Sequence, residues 1–131
     1  MNRPYGGWIN FRYLEQNQIF KNQIKFPPRH RVIMKMALAR VGFKYKEIVP
    51  FYDPLADTIQ WADFLVYERN KKTTFCIQFK LAGGAHQRTK NRYNSKIKYL
   101  EQKGIKVLQV RRDQTSQIYE AQIRMFIRKL E

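Results

Sequence analysis

Apolar positions recur along this chain in two rhythms, one helical and one of strict alternation. Over Arg31 to Val41, the residues Val32, Ile33, Met36, Leu38 and Ala39 approximate one helix face, with Arg31, Lys35 and Arg40 off it. Gly42 follows where a helix-ending glycine belongs. Phe43 to Val49 alternates with period two and predicts a strand, and Pro50 to Asp57 predicts a loop. Ile59 to Tyr67 predicts a second strand carrying Asp63. Glu68 to Lys72 predicts a polar hairpin turn, and Thr73 to Leu81 a third strand ended by Gly83-Gly84. Arg88 to Lys103 predicts a basic helix with Tyr93, Ile97 and Leu100 on its apolar side, stopped by Gly104. Ile105 to Val110 predicts a fourth strand. Ser116 to Leu130 predicts a last helix with Ile118, Ala121, Met125 and Ile127 to Leu130 as its core stripe.

Two domains of unequal character follow. Residues 1–28 form a basic, aromatic N-terminal extension with weak periodicity, a short helix expected at Leu14 to Phe20, and Pro27-Pro28 closing it. Residues 29–131 form the folded domain. The order helix, three strands, helix, strand, helix predicts an α/β fold, a mixed sheet flanked by helices. The first strands are expected to be antiparallel. The third and fourth are joined by a helical crossover and expected to be parallel, with a right-handed connection.

Charge narrows the function. Twenty-six Lys and Arg face ten Asp and Glu, a formal net charge of +16 in 131 residues. Such an imbalance repels itself unless something anionic lies against it, which points to nucleic acid, an anionic membrane or an acidic protein. No apolar run approaches the ~18 residues of a membrane span, and no signal-peptide core follows Met1, so no membrane partner is expected. Aromatic residues reach 15% and interleave with basic ones in Phe11-Arg12-Tyr13, Phe43-Lys44-Tyr45-Lys46 and Asn91-Arg92-Tyr93. That mixture suits phosphate contact combined with stacking on bases or ribose. One cysteine, Cys76, rules out an internal disulfide and a cysteine zinc cluster, and a reducing intracellular compartment is expected.

Candidate chemistry gathers on the second and third strands. Gln78 and Lys80 are two apart and share a face, and in paired strands Asp63 projects beside them. A carboxylate and an amide oxygen are hard ligands suited to Mg²⁺, so Asp63 and Gln78 are the candidate metal ligands. Lys80 would orient water or offset phosphate charge. Downstream, His86, Arg88, Lys90, Arg92, Lys96 and Lys98, and after the last strand Arg111 and Arg112, are the candidate nucleic-acid contacts.

The pattern Trp61-Ala62-Asp63, a hairpin, then Ile77-Gln78-Phe79-Lys80 resembles the core of PD-(D/E)XK nucleases. Gly84-Ala85-His86, Arg92 to Lys96 and Leu100 to Val110 resemble the very-short-patch-repair endonuclease branch, over about His30 to Arg112. The resemblance implies a restriction-endonuclease-like fold, Mg²⁺-dependent phosphodiester hydrolysis on DNA in repair, recombination or junction resolution, and catalytic roles for Asp63, Gln78 and Lys80. It also implies a phosphate or leaving-group contact for His86. The family's acid before x-Lys is Gln78 here, as in the endonuclease subunit of a cut-and-paste transposon, and its helix acid is Asn94. The first helix offers His30, Arg31 and Lys35 and no carboxylate, leaving Glu47 or Glu15 as substitutes outside the family position. One certain carboxylate holds a dication poorly. The favoured expectation is therefore a degenerate, non-catalytic RNA-binding component of a ribonucleoprotein, such as a mitochondrial or other organellar ribosome, with other proteins as neighbours. RAP-type RNA-binding domains look like degenerate relatives of the same branch. An active endonuclease is the alternative, and a scaffold that meets an acidic protein is the third reading.

Overall fold

The computed structural model describes residues 27–67 and 74–130. Most of the expected extension and the polar turn Glu68 to Lys72 lie outside the described residues, as does the short helix at Leu14 to Phe20. The elements run α1 (Arg29–Val41), β1 (Lys44–Asp53), β2 (Thr58–Tyr67), β3 (Thr74–Phe79), α2 (Gln87–Gln102), β4 (Lys106–Val110) and α3 (Ser116–Leu130). The four strands form one mixed sheet in the order β1-β2-β3-β4. The β1–β2 and β2–β3 pairs are antiparallel and β3–β4 is parallel, with α2 as the crossover. An α/β domain with a four-stranded mixed sheet and three helices is therefore what the chain builds. No helix among the described residues is long and apolar enough to cross a membrane.

Each face of the sheet has its own core. On one, Met34, Ala37 and Leu38 of α1 and Tyr119 and Ile123 of α3 pack on Phe64, Val66, Phe75, Ile77, Phe79 and Val110. On the other, Tyr99 and Leu100 of α2, with Ile105, pack on Phe51, Ala62 and Cys76. In β3 the alternation is simple: Phe75, Ile77 and Phe79 face one way and Cys76 the other. In the β1–β2 hairpin it reverses part-way. Tyr45 and Phe64 join the first core, whereas Val49, Phe51 and Ala62 join the second. The reversal falls at Ile48, whose φ is +52°. The paired positions run Glu47 with Phe64 and then Val49 with Ala62, passing over Ile48 and Asp63. A β-branched residue in the left-handed region is a costly conformation that its surroundings must impose.

Two expectations about burial and one about strand extent are corrected. The α1 stripe is Arg31, Met34, Ala37 and Leu38, while Val32, Met36 and Ala39 are exposed. The α3 stripe is Tyr119 and Ile123 with Phe126, Ile127 and Leu130 packed alongside, while Ile118, Ala121 and Met125 are exposed. Strand β1 runs on through Pro50 to Asp53, where a loop was expected. Among the described residues it is an edge strand, the place in a sheet where a proline is tolerated.

Asp53, at the end of β1, is fully buried and fastens the hairpin to α2. Its Oδ1 accepts from the Leu55 N–H at 2.9 Å. Its Oδ2 accepts from Gln60 Nε2 at 2.7 Å and Ser95 Oγ at 2.7 Å. Gln60 Nε2 also donates to the Arg92 carbonyl at 3.0 Å. An anion satisfied by three donors from three segments is expensive to delete, because the donors lose their acceptor inside the fold. Asp53→Ala is expected to lower unfolding free energy by about 3 kcal/mol, and Ser95→Ala by about 1 kcal/mol, in urea titrations followed by circular dichroism.

Candidate functional site

The β2–β3 ladder ends at Phe64 paired with Ile77. Beyond it the two strands are joined by side chains in place of backbone bonds. The Asp63 N–H donates to Gln78 Oε1 at 2.6 Å, and the Phe79 N–H donates to Asp63 Oδ2 at 3.0 Å. Each side chain takes over a backbone donor that the diverging ladder leaves behind, which is the requirement for any buried N–H.

The remaining carboxylate oxygen of Asp63 meets a cation from α1. Arg31 is 2% exposed. Its Nη2 donates to Asp63 Oδ1 at 2.7 Å and its Nη1 to the Asp63 carbonyl at 3.1 Å. The guanidinium lies 5.3 Å from the Phe64 ring centroid and 5.8 Å from that of Phe79, a cation–π setting. Glu47 stands 4.0 Å from Arg31 but pairs at 2.5 Å with Lys35.

The diverging strands open a cleft of about 440 Å³ between the start of α1, the end of the hairpin and one face of α2. Asp63, Gln78, Arg31, His30, Trp61, Tyr93, Arg92, Lys96 and Arg112 are among its lining residues. Lys96 stands in the buried stripe of α2, three residues after Tyr93 and four before Leu100. Its Nζ donates to the Trp61 carbonyl at 3.1 Å and lies 5.6 Å from the Tyr93 ring centroid. Burial lowers its pKa, and the Asp63 charge opposes that shift. Burial, with Asp63 adding to it, lifts Tyr93 to about 12, and its hydroxyl donates to Gln109 Oε1 at 3.1 Å. His30 packs edge-on against Phe79 at 4.5 Å. Burial first, then Arg112 and Arg31, lower its pKa, while Asp63 opposes them. Arg112 Nε donates to the Lys80 carbonyl at 3.1 Å.

The predicted residues divide accordingly. Asp63, Gln78, Arg92, Lys96 and Arg112 come together in the cleft. Lys80 does not join them. Strand β3 ends at Phe79, the residue after it is exposed, and Leu81 lines the cleft where Lys80 was expected to converge with Asp63 and Gln78. His86 is the residue before α2, its Nδ1 accepting from the Arg88 N–H at 3.2 Å. Arg88, Lys90 and Lys98 are exposed on α2 outside the cleft, and Arg111 pairs with Asp113 at 3.1 Å. One contributor escaped the sequence reading: Arg31 was placed off the apolar face. Lys96 was expected as a nucleic-acid contact, and its spacing from Tyr93 and Leu100 puts it in the apolar stripe of the helix.

These residues do not fit a divalent cation. Asp63 already has Arg31 on one oxygen and a backbone N–H on the other, and the Gln78 oxygen is taken by the Asp63 N–H. Glu47, the nearest further carboxylate to Arg31, is paired with Lys35. A dication placed here would face Arg31, Lys96 and Arg112 with one neutralised carboxylate to hold it. Anionic oxygen suits the cleft; a metal does not.

No family model, curated protein or solved structure matches the chain.

Removing Arg31 leaves the Asp63 carboxylate buried without its counter-ion. Arg31→Met is expected to cost about 3–5 kcal/mol in urea unfolding, and adding Asp63→Asn to recover part of that loss. His30 tests the cleft's field by pH. Its folded pKa lies below its unfolded value, so below about pH 6.5 the unfolded chain binds the proton more readily. Stability is expected to fall as pH drops from 7 through 6 until the lower folded pKa is reached. His30→Gln flattens that part of the profile of urea midpoints.

Proposed function

We propose that this chain is a non-catalytic nucleic-acid-binding protein, an RNA-binding component of a ribonucleoprotein of the organellar-ribosome type, on a degenerate restriction-endonuclease-like fold. The observation that carries the reading is the pairing of Asp63 with Arg31 at 2.7 Å. The carboxylate on which metal-dependent hydrolysis would depend is consumed by an internal cation, while Arg92, Lys96 and Arg112 remain around the same cleft. A surplus of +16 gives the rest of the surface the sign that phosphates seek. Tyr93 and Trp61 line the same cleft, and aromatic side chains are the kind on which unpaired bases stack.

Binding to a single-stranded RNA is expected to weaken with salt. A log–log slope near −3 corresponds to about four phosphate contacts. Arg92→Ala with Arg112→Ala is expected to reduce that slope by about 1.4, measured by fluorescence anisotropy between about 50 and 200 mM salt. The same protein, incubated with single-stranded RNA and with duplex and branched DNA in Mg²⁺ or Mn²⁺, is expected to cleave none of them. Cleavage lost on chelation and in Asp63→Ala and Lys80→Ala would establish the endonuclease instead. Indifference to every polyanion at low salt would leave only the acidic-protein partner.

A further inference from the structure

The cleft contains more hydrogen-bond donors than the fold uses. Gln78 is 1% exposed, and its amide oxygen is occupied by the Asp63 N–H. Its Nε2, carrying two N–H donors, is buried without a partner among the described residues. Arg31 Nε is in the same condition. Both side chains line the cleft. Lys96 has three N–H donors, and the Trp61 carbonyl accepts one of them. Buried donors left unmatched are costly, so a site that keeps several of them beside cations is built for a ligand with several acceptor oxygens.

Size and depth narrow that ligand. About 440 Å³ is within the range of small-molecule sites, enough for a nucleotide-sized group and too little for a length of duplex. Gln78 and Arg31 are almost wholly buried, so a group that reaches them enters end-first. An internal phosphodiester has chain on both sides and two free oxygens with one charge. A terminal phosphate monoester has one attachment, three free oxygens and a charge of about −1.5 to −2 at neutral pH. The Arg31 and Asp63 charges cancel, leaving Lys96, Arg92 and Arg112 to meet it, with Trp61 and Tyr93 beside the last nucleotide.

We propose that the cleft is a receptor for the phosphorylated end of a nucleic-acid strand, a terminal phosphate monoester whose oxygens accept from Lys96 Nζ and, once a side-chain shift uncovers it, from Gln78 Nε2. This rests on the nucleic-acid-binding reading above and assigns its cleft a strand end in place of a continuous backbone.

The test uses the full chain and one single-stranded oligoribonucleotide sequence prepared with a 5′-phosphate, a 3′-phosphate or hydroxyls at both ends. Adenosine 5′-monophosphate and inorganic phosphate are titrated separately. Anisotropy is expected to show one phosphorylated end binding about tenfold more tightly than the hydroxyl form, and which end it is identifies the source of the phosphate. The Gln78 side-chain amide resonance is expected to shift saturably with adenosine 5′-monophosphate. Lys96→Met is expected to erase the end preference while keeping a native circular dichroism spectrum, and Lys129→Met, exposed on α3 outside the cleft, to keep the preference. If Lys96→Met fails to fold, the Gln78 resonance of the unaltered chain decides alone. Equal affinities for all three strands with a static Gln78 resonance would overturn the end receptor and leave general nucleic-acid binding standing. A Gln78 shift with mononucleotide, but no affinity for any strand, would keep the phosphate site and overturn the nucleic-acid reading.

Discussion

The pairing of Arg31 with Asp63 is the constraint around which the rest of the domain is arranged. It joins α1 to the point where β2 and β3 part, and it resolves two problems at once. A buried guanidinium needs an anion and acceptors; a diverging ladder needs something to receive its abandoned N–H groups. Asp63 serves both, one carboxylate oxygen facing the helix and the other the Phe79 backbone. The aromatic rings of Phe64 and Phe79 close around the cation, so that the polar knot lies against the apolar core on that face of the sheet.

From that knot the character of the cleft follows. Strands held apart by side chains leave a hollow, and the crossover helix, fastened by the Asp53, Gln60 and Ser95 bonds, brings Lys96 to it. Since the hollow's own carboxylate is already neutralised, the added lysine and arginines set its sign. The surplus is positive and the unmatched atoms are donors, a combination in which anionic oxygen is stabilised and a metal ion is repelled.

Much of the architecture was legible in the sequence because local signals and the fold agree. Gly42 and Gly104 adopt φ values of 80° and 81° at the helix ends where they were expected, and the strands came from β-branched and aromatic runs. What was not legible depended on long-range contacts. Arg31 reads as a surface residue until Asp63, 32 positions later, is brought against it. The reversal of facing at Ile48 breaks the period-two rule on which any reading of β1 and β2 relies. Asp63 and Gln78 were found as neighbours, which strand pairing allows one to foresee. The bonding of the Gln78 side chain to the Asp63 backbone, and of the Asp63 side chain to the Phe79 backbone, was hidden, because it arises only where the ladder fails. Lys80 was misplaced for the same reason: alternation ceases to place side chains once the strand has ended at Phe79.

Pro50 has a consequence for how copies of this molecule treat one another. It lies buried in β1, the outermost strand among the described residues, in register with Trp61, and carries no N–H to donate. Lys44 and Lys46 add positive charge farther along that rim. An open strand edge ordinarily invites a neighbouring chain to dock and extend the sheet; a missing N–H and like charges discourage it. A second chain laid along β1 would find one backbone hydrogen bond fewer at Pro50 and like charge at Lys44 and Lys46.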